Sequence, residues 1–416
     1  MKTFKVPQLA WYGPRDLELP LPDSWQVQMN YAAGYNCQRL TSDQIRNAIR
    51  NPLGQKPLRE LAHGKKEAVI VFDDMTRATR SAEIVPFILE ELTGAGIPDR
   101  NIRFICGVGT HPPLPRQDLV KKLGEDVVSR YRCFTHNAFG SCIYTGTTDT
   151  YQTKLYINEE YMKCDLKIVI GACVPHPNAG FGGGAKMIMP GIASFECIMQ
   201  NHTHMFPDPG VKVTKGMGLF DENLFRQDIE ECAELAGIDF LVNVIINLWG
   251  ETVSIYTGDW RQAFKRALKE AKSHYLAQPF PAMDIVIANA YAKANESNIA
   301  LGAGLPFLDQ NTQTGTSIVF IGNAPEGQIP HYLLGFWGQL IPPRLVRPFP
   351  PKYPRGMKQA LFFSEYPHPG SSFMSVDEPI TYLSRWDDVL ERLQKVHGDN
   401  ARVGIIPDAT NQYFPP

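Results

Sequence analysis

The chain has 416 residues, 44% of them hydrophobic and 20% charged, and 41 Lys and Arg against 43 Asp and Glu leave a formal net charge of −2. That balance supplies no basic field for a nucleic-acid backbone or an anionic membrane surface, so nucleic-acid and membrane partners are excluded. No apolar run reaches the roughly 18 residues of a membrane helix and the N-terminus MKTFKVPQLAWYG lacks the apolar centre of a secretory signal, which implies a cytoplasmic protein.

Eight cysteines with no CxxC pair suit reduced thiols buried as small hydrophobes. The length favours two domains over one core. Short β-branched runs read as buried strands at 68–72, 102–106, 166–170, 240–247, 285–288, 317–321, 361–363 and 403–406. Helix-like stretches between several of them give the rhythm of an α/β protein with mostly parallel sheets. One helix is predicted over 82–93 behind Ser81 as N-cap, with Gly94 and Gly96 as stop signals, and another over 260–276 behind Asp259. The Pro-containing break AQPFPAMD then marks a boundary near 275–282, giving an N-terminal domain 1–275 and a C-terminal domain 276–416 whose last strand returns to the first domain. The Pro-rich segment 341–354 reads as a connecting loop, since each Pro lacks an amide donor and fixes φ.

Four clusters carry unusual chemistry, three of them directly behind predicted strands, where open α/β sheets bind ligands. Asp73-Asp74-Met75-Thr76-Arg77 can hold a ribose or a phosphate, Arg77 offering a bidentate fork. Gly107-Val108-Gly109-Thr110-His111 places an imidazole suited to proton transfer near neutral pH at the sheet rim. In Pro175-His176-Pro177-Asn178-Ala179-Gly180-Phe181-Gly182-Gly183-Gly184-Ala185-Lys186, the glycines suggest consecutive amides offered to an anion. The phosphate-loop pattern is absent, because Ala185 precedes Lys186 and Met187 follows it. Lys186 is left with three roles: a phosphate contact, a Schiff base or covalent attachment of a cofactor. In Asn201-His202-Thr203-His204 an extended segment would turn both imidazoles to one side, either being a metal ligand.

Taken together, DDMTR, GTHPP, HPNAGFGGGAKMIMPGIAS and NHTH, with NPLGQKPL upstream, resemble the nickel-dependent lactate racemase family of 2-hydroxyacid racemases and epimerases. The resemblance covers residues 35 to 210 and implies two α/β domains with the active site in the cleft between them. It also implies a nickel-pincer nucleotide, a pyridinium-3,5-bisthiocarboxylic acid mononucleotide carrying nickel, tethered to Lys186 and made by separate maturation enzymes. By the same resemblance His202 is the nickel ligand, with His204 the weaker match, and His111 and His176 are the acid/base pair. Asp74, Thr76, Arg77, Gly182, Gly183 and Gly184 then line the cofactor, Arg77 also meeting substrate.

The run Tyr291 to Gly302 departs from the family, where a Tyr, a Gln and a Lys line the substrate site: here Asn298, Ile299 and Gly302 stand at those positions. The loss of amide and cation argues against lactate itself, and Asn295, Glu296 and Asn298 would suit a polyhydroxylated acid or sugar. Lactate racemase proper, a His-rich metal hydrolase and a nucleotide-binding carrier are the competing functions. The hydrolase lacks a carboxylate base at a recognisable spacing.

Overall fold

The computed structural model describes residues 1–204, 214, 216–279, 281–296, 315–333, 357–368 and 380–414. Its chain forms two units, one of Asn36–Ser273 and one of Met1–Tyr35 with His274–Pro416. Segment Met1–Tyr35 supplies β1 (Lys2–Gln8), β2 (Arg15–Leu21) and β3 (Gln26–Met29). Asn36–Ser273 holds β4 (Ala68–Asp73), β5 (Ile102–Gly107), β6 (Arg132–Thr135), β7 (Cys142–Thr147), β8 (Lys154–Asn158), β9 (Leu166–Ala172), β10 (Pro175–His176), β11 (Gly180–Phe181), β12 (Phe240–Ile246) and β13 (Thr252–Gly258). Then come β14 (Ile285–Asn289), β15 (Ser317–Ile321), β16 (Gln359–Phe363), β17 (Ile380–Leu383) and β18 (Arg402–Ile406).

The unit Asn36–Ser273 is built on a six-stranded sheet of order β13-β12-β9-β4-β5-β6, parallel except for β13. All six residues of β4 are buried, as expected of a central parallel strand covered on both faces, which is why it reads as one continuous apolar run. The other unit has a second six-stranded sheet, β17-β16-β15-β14-β18-β3, parallel throughout. Alternation splits its core: Ile285, Ile287, Val319, Leu361, Val403 and Ile405 pack with Val6, Leu17, Leu19 and Trp25 on one face, and Val286, Ala288, Ile318 and Phe320 pack on the other. The β1–β2 hairpin thus closes one side of this core.

Three expectations are corrected here. Residues 1–35 fold with the C-terminal unit, because β3 completes its sheet beside β18. The last strand stays in that same sheet, between β14 and β3, and does not return to the first unit. The helix expected at 82–93 is a single tight turn at Ser81–Glu83 followed by a helix at Val85–Gly94, with no side-chain cap. Pro86 sets that start, since the first turn of a helix tolerates a residue with fixed φ and no amide hydrogen. By contrast Asp259 does cap the helix Trp260–His274, its carboxylate accepting from the Gln262 amide at 3.0 Å. The segment 341–354 lies outside the described residues. Among the described residues no helix is long and apolar enough to cross a membrane.

Candidate active site

In the sheet of the Asn36–Ser273 unit, the chain steps from β4 to β5 to β6 on one side, then restarts at β9 and steps to β12 on the other. The order reverses between β4 and β9, and the crevice at the carboxyl ends beside such a reversal is the usual ligand site of open α/β sheets. Three of the four clusters follow β4, β5 and β9, which are neighbours.

Two adjacent aspartates at the end of β4 have different tasks. Asp73 accepts from the buried Lys122 ammonium at 2.7 Å and from the Thr79 hydroxyl. Lys122 also donates to the Arg77 and Thr79 carbonyls at 3.1 and 3.0 Å, so one ion pair pins the whole turn after the strand. Asp74 turns the other way. Its Oδ1 accepts from the Thr76 amide at 3.0 Å and the Thr76 hydroxyl at 2.5 Å, and its Oδ2 lies 2.6 Å from His111 Nδ1. Arg77 donates to the Thr76 hydroxyl at 2.8 Å and its carbonyl at 3.0 Å, closing a chain Arg77–Thr76–Asp74–His111. Burial would raise the Asp74 carboxyl, but the His111 charge and hydrogen bond, the Arg77 guanidinium and the Thr76 hydroxyl hold it well below the usual carboxylate range. An ionised Asp74 only accepts, so His111 carries its hydrogen on Nδ1 and keeps Nε2 as the basic nitrogen.

The Gly-Lys loop packs against this assembly. Gly109 donates to the Gly191 carbonyl at 2.9 Å, and Cβ atoms added at Gly107 or Gly109 would meet Met187, Gly191 or Pro190 within 3.4 Å. Lys186 lies in the tight turn Gly184–Met187 and is buried. The expectation of consecutive amides facing an anion is corrected: Gly182 donates to the Val174 carbonyl at 2.7 Å and Gly184 to Asn243 Oδ1 at 3.3 Å. Glycine is needed for shape instead. At Gly183, with φ of +71°, a Cβ would stand 2.4 Å from Asn243 Oδ1 and 2.9 Å from the Ala172 carbonyl. His176 opens the short β10–β11 hairpin, and its Nδ1 accepts from the Asn178 and Ala179 amides at 3.2 and 3.1 Å.

The two histidines of NHTH are not on an extended segment. Ser194 caps the helix Phe195–Thr203, which carries His202 in its last turn, and His204 follows as its C-cap. Two residues on a helix are about 200° apart, so the rings diverge. His202 is buried edge-on to Phe225, with centroids 5.2 Å apart, whereas the exposed His204 stacks on Tyr151 at 3.8 Å. Asn201, beside His202, donates to the fully buried Asp228 at 2.6 Å, and Asp228 also accepts from the Thr148 and Thr153 hydroxyls. In the other unit Asn295 and Glu296 are buried beyond the carboxyl end of β14. Asn298, Ile299 and Gly302 lie outside the described residues.

Sequence reading missed the supports: Lys122, Asn243, Asp228 and Arg226. Buried Arg226 donates to the Phe181 carbonyl at 3.1 Å and to Glu230 at 3.1 Å, its guanidinium 4.3 Å from the centre of the Phe264 ring. Asn243 had a visible signal, a lone polar residue inside the apolar run FLVNVII. The others look like ordinary helix-surface charges.

Residues 12–214 match the family model for the lactate racemase N-terminal domain. The lactate racemase of Thermoanaerobacterium thermosaccharolyticum is 30% identical over 329 residues, 78% of this chain and 72% of that protein. That of Lactiplantibacillus plantarum is 28% identical over 311 residues, 72% of this chain and 70% of that protein. Among solved structures, the apoprotein of the Thermoanaerobacterium thermosaccharolyticum lactate racemase superposes with a TM-score of 0.73 at 22% identity, all of both chains being covered. A protein from Thermotoga maritima superposes at 0.67 and 17% identity, over 91% of this chain and 99% of the other.

Proposed function

Because the chain belongs to the lactate racemase family, we propose that it is an isomerase that inverts the hydroxyl-bearing carbon of a small hydroxy acid with a nickel-pincer nucleotide held at the β4–β9 crevice. The observation that carries this reading is the Asp74–His111 pair at the carboxyl end of the sheet, its aspartate buried and its histidine partly so: a carboxylate-backed imidazole with a basic Nε2 is what removal of a hydroxyl proton requires. The donor set fits the nucleotide. Lys186 offers an amine in a buried, rigid turn for a covalent tether, and His202 offers a buried imidazole for nickel.

When bound, the nucleotide supplies an electrophilic centre that accepts the α-hydride of the substrate. The protein does the rest. To Arg77, half-buried and held by Thr76, we assign the substrate carboxylate. His111 Nε2 takes the hydroxyl proton, and Asp74 stabilises the imidazolium that results. On re-formation of the alcohol the same proton is returned. We assign His176, on the hairpin after β9 on the other side of β4, as the second acid/base group. For the substrate, Asn298, Ile299 and Gly302, standing where the family has Tyr, Gln and Lys, favour a polyhydroxylated acid or sugar over lactate.

The test is intact mass and metal analysis of protein produced with a pincer-nucleotide maturation system, beside Lys186→Ala. A covalent adduct with nickel in the wild type, lost in the variant, supports the reading and licenses a screen of 2-hydroxy acids and sugar acids. Unmodified wild-type protein carrying zinc or no metal refutes it and favours a metal hydrolase or a nucleotide carrier.

A further inference from the structure

We propose that Asp228 is a positioning residue for the nickel ligand: through Asn201 and the tip of the β7–β8 hairpin it fixes the last turn of the helix Phe195–Thr203, and with it the His202 ring. The meaning for nickel rests on the racemase reading above, whereas the link from Asp228 to the His202 turn rests on hydrogen bonds within the Asn36–Ser273 unit. The end of a helix frays unless its last turn is tied down, because its final carbonyls have no partners within the helix. His202 stands in that last turn, one residue from the end, so an imidazole meant for a metal would be poorly aimed without outside support.

Asp228 supplies that support from the helix Leu224–Ala236. It is fully buried, and its two oxygens accept from three neutral donors on separate segments. The Asn201 amide group donates to Oδ2 at 2.6 Å, the Thr153 hydroxyl to Oδ2 at 3.0 Å and the Thr148 hydroxyl to Oδ1. Asn201 is fully buried as well, and its Oδ1 has no partner among the described residues. The bond to Asp228 is therefore the polar tie that fixes this side chain, directly beside His202 in the helix. One turn before Asp228, Phe225 meets the His202 ring edge-on, so one stretch of the helix Leu224–Ala236 holds both residues.

The hairpin tip closes around the same turn. Thr148 and Thr153 are joined across the tip, the Thr148 amide donating to the Thr153 carbonyl at 3.1 Å and the Thr153 amide to the Thr148 hydroxyl at 2.9 Å. Gln200, beside Asn201, donates to the Gln152 carbonyl at 2.8 Å and accepts from the Lys154 amide at 3.2 Å. Glu231 is a second attachment of the tip to the helix Leu224–Ala236, accepting from the Asp149 and Thr150 amides at 2.8 and 2.9 Å, but it makes no hydrogen bond to Asn201. Asp228 alone joins the tip, the helix Leu224–Ala236 and the His202 turn. A carboxylate suits this place because both of its oxygens accept, whereas a carboxamide must turn an NH₂ group toward one of the donors.

Two readouts in the full-length protein test this, with Asp228→Asn as the variant and Glu231→Ala as a control that loosens the hairpin tip without touching Asn201. In cofactor-free protein labelled with ¹³C-histidine, the ring signals of His202 and His136 are assigned with His202→Gln and His136→Gln. Asp228→Asn is expected to shift the His202 signal, whose ring lies beside Phe225, and to leave His136 in place; Glu231→Ala should leave both. In protein produced with the pincer-nucleotide maturation system, nickel is titrated against a chelator at equal Lys186 adduct. There Asp228→Asn should hold nickel ~10–100-fold more weakly, the usual cost of losing a support behind a metal-bound imidazole, and Glu231→Ala as well as the wild type. An unchanged His202 signal or an unchanged nickel affinity in Asp228→Asn overturns the proposal. So does an equal loss in Glu231→Ala, which would make Asp228 a tie of the hairpin and nothing more. If Asp228→Asn does not fold, Asn201→Ser cuts the same link, leaves the rest of the hub intact and carries the same expectations. If the wild type takes up no nickel, the racemase reading fails and the His202 signal alone decides whether Asp228 positions the ring.

Discussion

Replacing Asp74 by Asn changes one oxygen to an NH₂ group in a site with little room to rearrange, since the residue is 4% exposed and both carboxylate oxygens are engaged. With the amide nitrogen toward His111, Nδ1 becomes an acceptor and the hydrogen moves to Nε2, so the basic nitrogen is lost. With the amide oxygen toward His111, the NH₂ faces the Thr76 amide instead and leaves two donors opposed. Either arrangement also removes the charge that offsets the imidazolium. A charge-assisted hydrogen bond contributes about 1.5–3 kcal/mol, or roughly 10- to 150-fold in rate. The tautomer change adds to this: in the serine-protease triad the same Asp-to-Asn exchange reduces kcat about 10⁴-fold. The expected loss in kcat is thus ~10²–10⁴-fold, measured by chiral chromatography from each enantiomer and corrected for the fraction of chain carrying the adduct. The acid limb of the rate profile should also move to lower pH, because the imidazolium has lost its counter-charge. Stability gives an independent sign. Asp74 has a carboxyl lowered in the folded state, so it contributes stability above the ordinary carboxylate pKa that is lost as pH falls, and the variant should lack that part of the acid slope. Asp74→Asn with more than about a third of wild-type kcat and an unchanged profile refutes the assignment of His111 as a carboxylate-backed base.

The remaining predictions concern the supports. His202→Ala should abolish nickel retention, by metal analysis of the loaded protein, whereas His204→Ala, which removes only the exposed stack on Tyr151, should leave it unchanged. Equal losses would return both imidazoles to consideration. Gly183→Ala forces an L side chain to φ of +71° against Asn243 and the Ala172 carbonyl, and should destabilise by at least ~1–2 kcal/mol from the backbone alone. Denaturant titration reads that, and the Lys186 adduct should fall in parallel. His136 is neutral when folded, with its pKa lowered to about 4 from an ordinary value of 6.5, so the unfolded chain binds more protons between these values. Stability should fall by roughly 3 kcal/mol as pH drops from about 6.5 to about 4. His136→Gln should flatten that part of the curve relative to wild type.

Much of the fold was visible in the sequence for one reason. Strands buried on both faces, such as AVIVF and SIVFI, are continuous apolar runs, and each expected run coincides with a strand to within a residue or two. The hairpin of β1 and β2 carries a weaker signal. In RDLELPL the apolar Leu17, Leu19 and Leu21 alternate with Asp16, Glu18 and Pro20, a half-buried pattern of period two. Nothing local reveals that β3 pairs with β18, hundreds of residues away, so the membership of the first 35 residues had to come from the three-dimensional structure. The error at NHTH was one of period. Phe195, Ile198 and His202 are buried at helical spacing, and Ser194 before them is a helix cap, so the alternation assumed for the two histidines competed with a helix signal already present.

The residues that hold the site in shape were hidden by the rule that made the fold readable. Pattern reading treats a polar side chain as a surface marker, yet Lys122, Asp228, Arg226 and Asn243 are all buried, each engaged by a partner distant in sequence. Burying such groups is costly unless their hydrogen bonds are made, so they persist where backbone must be held in a shape that apolar packing does not specify. Each of the four braces one element of the crevice: Lys122 the turn after β4, Asn243 the Gly-Lys loop, Arg226 the hairpin of His176, and Asp228 the helix of His202. Loosening any one brace should therefore lower adduct formation or nickel retention before it unfolds the chain.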